Sequence, residues 1–320
     1  MNQLPQKIRR IGVPPVKCQG IKTKLVPFIF NSIRWEARAG SRWIEPFLGS
    51  GVVAFNLAPE QTLLSDTNRH IINLYQDIKR GEMNRGIVRE FLGDEGQKLA
   101  AGGADYYYEV RRRFNEAGSP FDFLFLNRSC FNGVVRFNRQ GQFNVPFGHK
   151  PQRFTQAYIT KIVNQVGWVA KQMQDKDWEF RVAKWDEVLS EARPDDFVYL
   201  DPPYIGRHTD YFNSWNDVEA ERLALAARQL PCGFALSMWL ENRYRKNDHL
   251  EELWSGLEMR VCSHFYHVGS AETLRNEMDE ALVIRPGFAT PDAGKQRTKG
   301  IADEKAQPKA LPLFSYESSI

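Results

Sequence analysis

The chain has 320 residues, 42% of them hydrophobic and 26% charged, with a formal net charge of +4. That length accommodates a catalytic domain with its own core plus one smaller module. No apolar run reaches the roughly 20 residues of a membrane span, no secretory apolar segment follows the basic start of the chain, and Cys18, Cys130, Cys232 and Cys262 have neither disulfide-framework nor zinc spacing; a cytoplasmic protein without a structural metal is expected.

Segments with the character of buried parallel strands recur at 42–45, 62–65, 197–200 and 233–238, with helical stretches between them. This alternation predicts a doubly wound α/β sheet. The first strand runs into Glu45-Pro46-Phe47-Leu48-Gly49-Ser50-Gly51, where the glycines permit a tight turn and close approach of a ligand to the backbone. Asp66 closes the next strand, where a carboxylate can accept hydrogen bonds from both hydroxyls of a ribose. A GxG alone is commoner in structural turns; joined to a strand and an acid it points to a nucleoside cofactor without choosing among them.

Between about Ile71 and Trp168 the alternation gives way to polar helical stretches and a Gly/Asn-rich block from Asn127 to Gly148. This reads as an inserted domain. Asn132-Gly133 and Gln140-Gly141 are turn signals and predict a β-hairpin or a pair of turns. Basic residues from Arg111 to Arg153 interleave with Phe114, Phe131, Phe137, Phe143 and Phe147, the mixture that nucleic-acid surfaces use. The run Arg111-Arg112-Arg113 fits either DNA phosphates or a solvated helix face.

The third segment, 197–200, leads into Asp201-Pro202-Pro203-Tyr204. Two prolines remove two backbone donors, leaving a stiff rim of acceptors suited to an amino group, and the following ring offers a face on which a planar base can stack. A helix is predicted after Asn216, its N-cap, with Glu219 three residues on and Ala220, Leu223, Ala224, Ala227 and Leu230 along one face. His208, His264 and His267 lack metal-ligand spacing. From Pro286 the chain is rich in Pro, Lys, Gly, Ala and Asp, a composition that predicts disorder.

These motifs in this order resemble the Dam-type (alpha-class) adenine-specific DNA methyltransferases, over nearly everything from Lys17 to about Pro286. The resemblance rests on Lys17, Gly20 and Lys22; on the Glu45–Gly51 loop and Asp66; on the block Asn127–Asn138 with Gly141–Gly148; on Asp201–Tyr204; and on the strand Met278–Leu282. It departs at Cys18, Ile21, Met238 and Trp239. It implies a Rossmann-like methyltransferase sheet carrying an inserted, mostly helical recognition domain with a β-hairpin. The expected division is 1–70 and 169–286 for the catalytic domain, 71–168 for the DNA-recognition insert and 287–320 for the tail.

The implied activity is transfer of a methyl group from S-adenosylmethionine to the exocyclic amine of an adenine flipped out of double-stranded DNA, as in restriction-modification systems. The resemblance assigns Lys17, Lys22, Glu45, Pro46, Phe47, Gly49, Gly51, Asp66 and Asp201 to the cofactor, and Asp201, Pro202 and Tyr204 to catalysis. It assigns Asn127, Arg128, Phe131, Asn132, Arg136, Asn138 and Asn144 to DNA. A cytosine exocyclic-amine methyltransferase needs the same rim, and a non-catalytic DNA-binding protein could keep the fold; the product nucleoside and a methyl-transfer assay discriminate these. In the tail, Leu311, Leu313 and Phe314 resemble a short peptide that docks on the bacterial sliding clamp, or else fold back onto the catalytic domain.

Overall fold

Seven strands build the chain's central sheet: β1 (Trp43–Glu45), β2 (Gln61–Asp66), β3 (Asp177–Val182), β4 (Phe197–Leu200), β5 (Gly233–Asn242), β6 (Glu258–Phe265) and β7 (Glu277–Ile284). The computed structural model describes residues 8, 10–18, 20–203, 215–242, 249–265 and 277–291. The strand order is β3-β2-β1-β4-β5-β7-β6. The first five strands run parallel, and β7 lies antiparallel to both β5 and β6. Progression along the sheet therefore reverses between β1 and β4. In an open α/β sheet, a crevice forms at such a point, beyond the carboxyl ends of the strands.

Successive side chains of a strand point to opposite faces, and both faces of this sheet are covered. Trp43, Leu64, Phe197 and Tyr199 pack with α1 (Val26–Ser32), α2 (Val52–Leu57), α3 (Arg69–Arg80) and α6 (Gln156–Met173). Ile44, Leu63, Val198 and Leu200 pack with α7 (Trp185–Leu189), α8 (Asp217–Gln229) and α9 (His249–Trp254). Helix α8 follows its sequence signature: Asn216 Oδ1 accepts the Glu219 N–H at 3.0 Å, and the apolar face is buried. No helix among the described residues is long and apolar enough to cross a membrane.

Between α3 and α6 lie α4 (Arg85–Ala117), broken at Gly103, and α5 (Pro120–Ser129). The predicted hairpin appears as two isolated antiparallel bridges, Cys130 with Phe147 and Phe137 with Phe143. The backbone bonds Asn138 N–H to the Gln142 carbonyl (2.9 Å) and Asn144 N–H to the Arg136 carbonyl (3.3 Å) flank the Phe137–Phe143 bridge, and side chains of α4 take outward-facing backbone groups of the second segment. Asn115 bonds both the N–H and C=O of Phe143 (2.8 and 3.2 Å), and the Tyr107 hydroxyl donates to the Val145 carbonyl (2.8 Å). The arginine run faces in three directions: Arg113 bridges the buried Glu95 and Asp122, Arg112 pairs with Glu116, and Arg111 lies over the Tyr108 ring. Arg113 is thus a structural cation rather than a phosphate contact.

Candidate functional site

At the carboxyl end of β1 the Glu45 carboxyl is 2% exposed and accepts a 2.7 Å hydrogen bond from Trp43 Nε1. Burial, with the Trp43 donor opposing it and the charge of Asp201 adding to it, pushes the Glu45 carboxyl up to about 8. The chain then turns through Gly49 and Gly51, both in the left-handed region (φ 50° and 68°). A methyl group on Gly51 would meet the Phe55 ring at 2.6 Å, whereas one on Gly49 would meet nothing within 4 Å. Gly51 is therefore required for packing, and Gly49 borders open space that a ligand can enter. Pro46 is buried, and the half-buried Phe47 meets Trp215 edge to face.

Asp66, at the end of β2, is fixed by the loop it faces: Oδ2 accepts the Gly49 N–H at 2.9 Å and Oδ1 the Asn68 N–H at 2.8 Å. Burial raises its pKa against these two donors and that of Thr67. A fixed acceptor beside an open glycine backbone is what the ribose of S-adenosylmethionine requires, and the residues present fit that cofactor.

Asp201 follows β4 on the other side of the switch point. Its Oδ1 is held by Lys22 Nζ at 2.8 Å and by Ser237 Oγ at 3.1 Å; Ser237 in turn bonds the Tyr199 hydroxyl at 2.8 Å. Ser237, Tyr199 and Lys22 are 2–3% exposed, and the Asp201 side chain is 24% exposed. Parallel pairing aligns Leu200 with Leu236, so the next residue on each strand, Asp201 and Ser237, face each other. Sequence reasoning did not assign Ser237 or Tyr199, although a lone serine in Gly233–Leu240 is a usable signal. Pro202 is buried beside Asp201; Tyr204 lies outside the described residues.

Lys17 and Lys22 diverge. Lys22 reaches Asp201, while Lys17 is clamped through its main chain: Asn127 Oδ1 accepts the Lys17 N–H (2.8 Å) and Asn127 Nδ2 donates to the Lys17 carbonyl (2.9 Å) and the Gly133 carbonyl (3.2 Å). Asn127 is therefore an internal clamp with 0% exposure, not a DNA contact, because all its polar capacity is spent inside. Arg128, 3% exposed and bonded to Gln165, is likewise withdrawn from the surface.

The remaining block residues stay near the surface. Phe131 is 52% exposed and Asn132 is exposed, both on a 3-10 turn. Asn144 accepts from Arg136 Nε at 2.8 Å and its carbonyl from Arg136 Nη2, which fixes that guanidinium. Asn138 closes its own turn by accepting the N–H groups of Gln140 and Gln142.

Residues 19–269 match the model of the D12 class of N6 adenine-specific DNA methyltransferases. The chain is similar to a DNA adenine methylase of Serratia marcescens, 32% identical over 63% of this chain and 74% of that one. It is also similar to the type II methyltransferase M.MjaIII of Methanocaldococcus jannaschii, 30% identical over 77% and 89%. A third relative is a DNA adenine methylase of Salmonella typhi, 29% identical over 82% and 93%. With this match spanning the cofactor loop, the insert and the Asp201 rim, the chain belongs to the D12 class of N6 adenine-specific DNA methyltransferases, which take their methyl group from S-adenosylmethionine.

Proposed function

We propose that this chain methylates an adenine that it first swings out of the duplex, holding the exocyclic amine between the Asp201 carboxylate and the Pro202 carbonyl. The observation that supports the reading best is the state of the Asp201 side chain. Its Oδ1 accepts from Lys22 and Ser237, and among the described residues nothing donates to Oδ2, which is placed to accept a hydrogen bond from an incoming N–H.

Adenine's amino lone pair is delocalised into the ring, and the target atom is inaccessible inside a duplex; extrusion costs a few kcal/mol and is offset by a receiving pocket. S-adenosylmethionine supplies a methyl group already activated as a sulfonium. The fixed carboxylate of Asp201 stabilises the positive charge that develops on the nitrogen, so it acts as an acceptor and needs no proton-abstracting role. Orientation of the amine by Asp201 and Pro202 contributes the remaining acceleration. Lys22 and Ser237 hold Asp201 in place for both tasks.

On the DNA side, Phe131 fills the gap left by the extruded base, and Arg136, fixed through Asn144, reads guanine in the major groove. Tyr204 supplies the stacking face. Asp201→Ala is expected to abolish radiolabelled methyl transfer while S-adenosylmethionine binding stays within a few-fold of the parent. Turnover near the parental rate would overturn the assignment.

A further inference from the structure

Beneath the exposed turn at Phe131, three cations gather around one phenol. Arg153 Nη2 donates to the Tyr158 hydroxyl at 2.9 Å, and its guanidinium sits 4.3 Å from the Tyr158 ring centroid. The Arg128 guanidinium is 6.0 Å from the same ring, and its carbonyl accepts Arg153 Nε at 3.2 Å. Lys17 packs its stem on Gly133, where a Cβ would meet Lys17 Cδ at 2.6 Å, and its ammonium belongs to the same cluster.

Among the described residues, no carboxylate acts on Lys17, Arg128 or Tyr158. Burial, foremost, lowers the pKa of Lys17, the Tyr158 phenol opposes this, and the two arginines add to the lowering. Burial also lowers that of Arg128, whose buried Nε has no hydrogen-bond partner. For Tyr158, burial pushes the pKa up, but the charges of Arg128, Lys17 and Arg153 outweigh it and bring the phenol below its ordinary value. Positive charge concentrated in a half-buried place is unfavourable unless an anion joins it. A surface cavity of about 450 Å³ lined by Lys150, Pro151, Gln152 and Arg153 leads to the same guanidinium.

We propose that Lys17, Arg153 and the Tyr158 hydroxyl form a seat for one phosphodiester group of the DNA strand, with the buried Arg128 as a fixed charge behind it. The inference rests on the DNA-methyltransferase reading and places the strand across the base of the Phe131 turn. A phosphate there offsets the mutual repulsion of the cations that share the Tyr158 phenol, and it holds the backbone beside the residue that enters the helix.

Equilibrium binding of parent and Arg153→Gln to a duplex, measured against salt concentration, tests this. One lost phosphate contact lowers the slope of log affinity on log salt by about 0.9, equally for cognate and random duplexes. Arg153→Lys keeps the charge and is expected to keep the slope. Duplexes carrying one neutral methylphosphonate at successive positions complete the test: at one position the substitution weakens the parent and leaves Arg153→Gln unaffected.

A parental slope in Arg153→Gln, loss of slope in Arg153→Lys, or the absence of any such position would each overturn the proposal. Methyl transfer by the parent to unmodified duplex, run alongside, reports separately on the reading beneath it.

Discussion

Replacing Asn127 separates a clamp from a DNA contact. The side chain is fully buried and makes three hydrogen bonds, two to the main chain of Lys17 and one to the Gly133 carbonyl. At roughly 1 kcal/mol net for each such bond, Asn127→Ala costs about 3 kcal/mol. For a domain of this size that lowers the unfolding midpoint by about 6 °C. The measurement is thermal unfolding of the protein without DNA or cofactor, followed by near-ultraviolet circular dichroism. Asn127→Asp should fare no better, since a carboxylate accepts from the Lys17 N–H but faces two carbonyls it cannot donate to. An unchanged midpoint combined with weakened DNA binding would refute the clamp and return Asn127 to the DNA surface.

Glu45 gives a pH signature. The unfolded chain releases this proton near the ordinary carboxyl value of 4.5, whereas the folded chain keeps it to about 8, so ionisation of Glu45 opposes folding increasingly as pH rises through that window. Glu45→Gln should gain stability relative to the parent from about pH 5 to pH 8 and level off above; a constant difference across the range contradicts the buried protonated state. Arg113→Ala removes the cation that Nε and Nη2 bring to Asp122 and Glu95 at 2.8 and 2.9 Å. Because Arg113 is 41% exposed, the cost is discounted to about 2 kcal/mol in urea unfolding, and a change under about 0.5 kcal/mol would show the bridge to be idle. Ser237→Ala frees one side of Asp201 Oδ1 and should lower kcat about tenfold with little change in KM for DNA. An equal kcat in Ser237→Ala, or a Ser237→Thr variant that recovers none of the lost rate, speaks against a positioning role.

The strands that carry the site are legible because they are buried on both faces and read as short apolar runs: β1, β2, β4 and β5 all appear in the sequence, as does the acid or rim that follows three of them. β3 is not legible. Its pattern Asp177-Trp178-Glu179-Phe180-Arg181-Val182 lies at the sheet edge with alternate residues exposed, so no apolar run marks it. β6 lies at the opposite edge with Glu258 and Arg260 in its first half and is hidden for the same reason.

In the site, Asp66 and Asp201 could be placed from strand ends, but the inward turn of Asn127 depends on a partner 110 residues away. Burial of that kind has no local signature; a polar residue in a DNA-facing block looks alike whether it points in or out. Ser237 becomes visible only through the register that sets β4 beside β5. The tail with Leu311, Leu313 and Phe314 lies outside the described residues.

The clamp on Lys17 joins the Phe131 turn to the segment that reaches Asp201. Gly133, on the turn that carries Phe131, is bonded through Asn127 to Lys17, and only four residues of chain separate Lys17 from the lysine on Asp201. A strand of DNA that shifts the turn pulls on the same segment that orients the methyl-accepting rim. By linkage, any second ligand that fixes the same segment gains or loses, in equal measure and with the same sign, the free energy that a DNA strand contributes to fixing it.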